Sequence, residues 1–159
     1  MATINTPATE TEAYVAAFVR GADGYVALSA PVCLPPESVA KIADVREAGL
    51  ERLGKMHEAG VLMGYGSDLL GGMQTAQSGE FPLRGQYMPA DAVIRSATVD
   101  AARVLRMEGQ IGAITPGAFA DVIAVEGNPL EDLSLLTGQG AHMPLIMKDG
   151  VAVKKASAL

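Results

Sequence analysis

The apolar positions of this chain follow different rhythms along its length. From 35 to 59 they recur three and four apart. Val39, Ile42, Ala43, Leu50 and Leu53 share one face, while Arg46, Glu47, Glu51, Arg52 and Lys55 mostly fall elsewhere. Pro35 and Pro36 suit a first turn, Glu37 lies near the positive end of the helix dipole, and Gly60 supplies the stop. The spacing predicts a helix over 35–59. A second stripe, Ala90, Val93, Ile94, Ala97, Ala101, Val104 and Leu105, predicts a helix from Pro89 to about Met107. Between them Val61, Leu62, Met63, Gly64, Tyr65 and Gly66 form an apolar run with no helical period, which predicts a buried parallel strand ending at Ser67 and Asp68. Upstream, 13–19 suits a buried strand, though its alanines also suit a helical turn. The type of the apolar segment 25–33 stays open, and 1–11 reads as an irregular lead-in.

After Glu108 the rhythm shortens. Residues 111–114 read as a strand, Thr115, Pro116 and Gly117 as a tight turn, and 121–125 as a strand followed by a turn at Gly127, Asn128 and Pro129. Residues 145–147 and 151–153 form a hairpin pattern in which Asp149 and Gly150 supply the turn. A helix leading straight into a strand is the grammar of a parallel α/β fold. Residues 1–108 therefore read as α/β units and 109–159 as a small β-rich portion.

Composition narrows the function classes. The 159 residues suffice for one good core with a small appendage. Nearly half are apolar, with 18 glycines, 3 Phe, 4 Tyr and no Trp, which suggests tight turns around a core of aliphatic side chains. A net charge of −6 with 12 scattered cations argues against nucleic acid, whose phosphates require a basic face. No apolar stretch reaches the length of a membrane span, and 1–13 lacks the hydrophobic segment of a secretory signal. The single cysteine, Cys33, excludes an intramolecular disulfide and fits a packing role in a reducing, cytoplasmic setting.

Candidate chemistry concentrates at Asp68. Strands of α/β sheets present functional groups at their C-terminal ends, and Gly64 and Gly66 leave room around that mouth. Asp68 is the first residue there able to ligate a metal or take a proton. The long connection 68–89 carries Gln74, Gln77, Glu80, Arg84 and Gln86, of which Gln77 and Arg84 are the candidate substrate contacts. The two histidines fit other roles, His57 as helix-end packing or dipole compensation and His142 inside the β-rich portion. Asp121 enters a strand after a Thr-Pro-Gly turn and suits bonding to turn amides. Gly71 and Gly72 are a poor match to a nucleotide-binding fingerprint.

Taken together, these motifs resemble the amidohydrolase superfamily. The stretch from Gly112 through Thr115, Pro116, Gly117, Asp121 and Gly127 to Asp132 is similar to its C-terminal signature. Gly66-Ser67-Asp68 resembles its strand-eight motif, and Ser96-Ala97-Thr98 with Ala101-Ala102 the helix that follows. Gln77, Glu80 and Phe81 resemble the branch of metal-dependent dipeptidases and imidazolonepropionase-like enzymes. The resemblance implies a distorted (β/α)8 barrel with a small β-sandwich, of which this chain carries the last barrel units, about strands seven and eight, within 1–108 and the sandwich portion in 109–159. It places 13–19 at strand seven.

The resemblance further implies a hydrolase cleaving an amide or peptide C–N bond of a small substrate, with a divalent metal, zinc by preference. Asp68 would bind that metal and handle the proton of the attacking water. The family's His-x-His is absent here, and a closed barrel takes about 250 residues. Activity would therefore draw the other ligands from a longer product, a complementing chain or a homo-oligomer. The alternative is a catalytically incomplete fragment, or a non-enzymatic binding or scaffold module.

Overall fold

The computed structural model describes residues 14–21, 24–33, 36–69 and 71–156; the lead-in expected for 1–11 lies outside them. The chain divides into two units, Met1–Gly49 and Leu50–Leu159. In the first, β1 (Tyr14–Gly21) and β2 (Gly24–Cys33) pair antiparallel, with Ala17 opposite Leu28 and Gly21 opposite Gly24. Of the apolar run expected at 13–19, the described residues 14–19 are thus strand, in a hairpin. A barrel strand seven would instead pair in parallel with its neighbours.

Helix α1 (Pro36–Glu58) forms where the periodicity places it. Its end is a Schellman closure: Val61 N–H bonds the Met56 carbonyl at 3.0 Å and Gly60 N–H the His57 carbonyl at 2.9 Å. Gly60 takes φ 70°, which a side chain at that position would resist.

In the second unit the expected strand over 61–66 does not form. Residues 61–69 form neither helix nor strand, and Tyr65 N–H bonds the Ser96 carbonyl at 2.8 Å. An apolar run becomes a strand only when a neighbour completes its ladder, and the described residues of this unit offer 61–66 none. The connection after Asp68 is more regular than a loop. It holds a 3₁₀ helix, Gly71–Gly79, that runs directly into α2 (Glu80–Arg84).

The helix expected over 89–107 is two, α3 (Ala90–Ala97) and α4 (Val99–Val104), broken at Thr98. Thr98 leaves the helical region (φ −125°, ψ −100°) while its hydroxyl bonds the Ile94 carbonyl at 2.8 Å. Gly112 packs on this break: a Cβ there would lie 2.5 Å from the Thr98 carbonyl oxygen, and φ is 80°. The strand expected over 111–114 is reduced to one bridge, Glu108 to Ile111.

The strand expected at 121–125 and the hairpin expected at 145–153 do form. β3 (Val122–Ala124), β4 (Leu145–Lys148) and β5 (Val151–Lys155) form an antiparallel sheet in that order. Met88, Val93, Leu133 and Leu136 make the core of this unit, with Leu53, Met63, Phe81 and Val125 packed on it. No helix among the described residues is long and apolar enough to cross a membrane.

Candidate active site

Asp68 stands on the segment that leaves α1 and passes beside α3. It is exposed, and its φ of 52° is a left-handed conformation that aspartate adopts more readily than most residues. The segment behind it is held firmly. Tyr65 stacks on Phe81 with ring centroids 4.4 Å apart and 29° between planes, and its hydroxyl donates to the Gln77 carbonyl at 2.7 Å. Tyr65 and Gln77 thereby close a loop that contains Asp68. A second tie comes from the C-terminal part of the chain, where the Gln139 amide donates to the Thr75 carbonyl.

Arg84 and Gln77, the two candidate substrate contacts, have different surroundings. Arg84 is buried. Its guanidinium pairs with Glu80 Oε1 at 2.5 Å, donates to the Gly64 carbonyl at 3.2 Å and lies 5.2 Å from the centre of the Tyr65 ring. Gln77 is exposed. Both line a cavity of about 320 Å³ whose other walls include Leu50, Leu53, Ser67 and Glu80. Asp68 sits next to one of these walls, at Ser67. Glu80 Oε2 is buried without a hydrogen-bond partner among the described residues.

The environment shifts one of these groups strongly. Burial of the Tyr65 phenol, reinforced by the Glu80 carboxylate, pushes it up to about 12, against a smaller opposing pull from Arg84. Tyr65 is therefore a neutral hydrogen-bond donor at any physiological pH.

Tyr65, Glu80 and Phe81 have more structural weight than the sequence reading assigned them. The four-residue spacing of Glu80 and Arg84 would pair them on a helix, but 68–89 read as a connection. Tyr65 gave no signal, because an apolar run hides which face its one hydroxyl takes.

The other candidates lie elsewhere. Asp121 receives the Lys148 ammonium and the Asp149 N–H, the latter at 2.7 Å, so it serves the β4–β5 turn rather than its own. The bond from Lys148, then that from Asp149, holds its carboxyl below the usual range. His142 is exposed, and its carbonyl accepts from Glu126 N–H. His57 lines a separate cavity of about 270 Å³ with Ser96, Arg95, Asp100 and Arg103, where Asp100 takes Arg95 at 3.6 Å and Arg103 at 3.5 Å.

The donor set bears on a metal. No group of three or more His, Cys, Asp or Glu side chains able to hold one occurs among the described residues. Zinc takes at least three protein ligands, so one exposed carboxylate does not fit a metal centre by itself.

Comparison with known proteins gives this geometry a family. A crystal structure described as an amidohydrolase superposes on 78% of this chain and 30% of its own, with TM-score 0.70 and 51% identity. A prolidase structure, complexed with N-methylphosphonate-L-proline, covers 77% of this chain and 30% of its own, with TM-score 0.69 and 46% identity. Among curated proteins, the 5-methylthioadenosine/S-adenosylhomocysteine deaminase of Symbiobacterium thermophilum is 36% identical over 108 residues, 60% of this chain and 24% of the deaminase. The chain thus spans about a quarter of that relative's length. The sequence profile of the amidohydrolase family matches residues 18–153, and the chain belongs to that family.

Proposed function

We propose that this chain contributes Asp68 and the loop after it to a metal-dependent hydrolase that cleaves the C–N bond of a small peptide or amide. The observation that carries the reading is the 46% identity to a prolidase over 77% of the chain. Asp68 meets the chemical requirement for a proton acceptor: its carboxylate is exposed, forms no ion pair among the described residues, and follows Ser67, which lines the cavity. Its role is to accept the proton of the attacking water and return it to the leaving nitrogen. The chain corresponds to the last α/β units of the family barrel and the sandwich portion that follows.

The family's divalent metal, zinc by preference, needs ligands beyond Asp68. They come from a complementing chain, a second copy or further residues of a longer product. Gln77, exposed at the cavity, is the side chain of this region proposed to meet substrate.

The test has two parts. Elemental mass spectrometry on the dialysed protein measures metal per chain, alongside its mass in solution. In an assembly that hydrolyses Xaa-Pro dipeptides, Asp68→Asn is expected to lower kcat by about a thousandfold, on the scale of a lost general base and ligand. Activity surviving within a few-fold would sink the proposal. Neither metal nor turnover in any assembly would leave the non-enzymatic binding module as the reading.

A further inference from the structure

Arg84 is a charged side chain of the site that is buried, with side-chain exposure of 7%. A substrate-binding arginine keeps its nitrogens free for the substrate, but each of the three nitrogens of this guanidinium makes a contact within the chain. Its Nε and one terminal nitrogen meet Glu80 Oε1, and the other terminal nitrogen meets the Gly64 carbonyl. The plane of the guanidinium thus joins α2 to the segment 61–69, and the Tyr65 ring covers it at 5.2 Å.

We propose that Arg84 is a positioning residue for Asp68, acting through the Gly64 carbonyl and the Tyr65 ring. The inference rests on the reading of Asp68 as the working carboxylate. Gly64 and Tyr65 lie just before Asp68 and are gripped from several directions. Arg84 holds the Gly64 carbonyl, Ser96 the Tyr65 N–H, Phe81 the ring and Gln77 the hydroxyl. Only Gly66 and Ser67 separate this grip from Asp68. The Tyr65–Gln77 bond fixes the far side of the loop, so the left-handed turn at Asp68 is bounded by two anchors.

Lysine separates charge from geometry here. Its ammonium can still neutralise Glu80, but a point charge on a flexible stem does not present two directed edges at once. Arg84→Lys should therefore preserve the fold and release Gly64. Tyr65→Phe keeps the ring stack and removes only the tie to Gln77.

The experiment is NMR on the full chain and these two variants. The readouts are hydrogen exchange of the Tyr65 amide, exchange of the amides in the β3–β4–β5 sheet, and the Asp68 side-chain carboxyl ¹³C resonance, assigned through Asp68→Asn. In Arg84→Lys the Tyr65 amide is expected to exchange about tenfold faster or more while the sheet amides are unchanged. The Asp68 carboxyl signal should broaden or split as the turn samples several conformations. Tyr65→Phe should disturb the same carboxyl signal.

Equal acceleration in the sheet would show a merely structural arginine and overturn the proposal. So would an unchanged Asp68 signal in both variants. The catalytic reading fails by a different route, through an active Asp68→Asn assembly, so the two failures are distinguishable.

Discussion

At the scale of single residues, Tyr65 is the side chain whose surroundings alter its chemistry most. Ionising its phenol would put a negative charge in a half-buried site beside Glu80 and break the bond to the Gln77 carbonyl, so the neutral form is favoured in the fold. The folded value is about 12 against an ordinary 10.0. A raised value means the stabilising contribution is complete below pH 10 and disappears as pH rises through 12. Ultraviolet titration of the phenolate band should therefore show a late-ionising component from Tyr65. Tyr65→Phe should remove that late component, and Glu80→Gln should shift it down, because the carboxylate is one of its causes. A titration that Tyr65→Phe leaves without loss of a late component would contradict the buried stack.

Elements show which sequence signals were legible and why. The ends of α1 were readable because Pro36 and Gly60 act through their own backbone chemistry, with no tertiary help needed. The hairpin of β4 and β5 was readable for the same reason, through Asp149 and Gly150, both at positive φ. The run 61–66 departs from expectation because a short continuous apolar run suits a buried strand, but the ladder depends on partners that sequence does not supply. The break at Thr98 was also hidden. A threonine in a helical stripe looks ordinary until its hydroxyl takes the Ile94 carbonyl and Gly112 packs against the gap.

Gly60→Ala tests the local argument. Alanine at φ 70° carries a left-handed penalty, so the unfolding free energy should fall by about 1 kcal/mol in a denaturant titration. A change within a few tenths of a kcal/mol would mean that the closure of α1 contributes little to the stability measured.

At the largest scale, and among the residues whose burial is described, the core is small and the exposed apolar surface is not. Among the described residues the buried hydrophobic side chains are Met88, Val93, Ala102, Leu133 and Leu136. Around the end of α1, Met56, Val61 and Leu62 are 39%, 47% and 42% exposed, next to a segment that lacks a strand partner. Exposed apolar side chains close together in sequence favour association, and the same segment leads to Asp68. Self-association and completion of the site therefore make demands on the same part of the chain. Sedimentation over a dilution series should show the chain moving from larger to smaller species. Leu62→Glu should shift that equilibrium toward the smaller species and reduce binding of a hydrophobic dye, because a carboxylate opposes burial of this surface. A chain that sediments as a monomer throughout, with no dye binding, would remove self-association as the route to a complete site. On the proposed reading of Asp68, further ligands would then be sought in a different chain or a longer product.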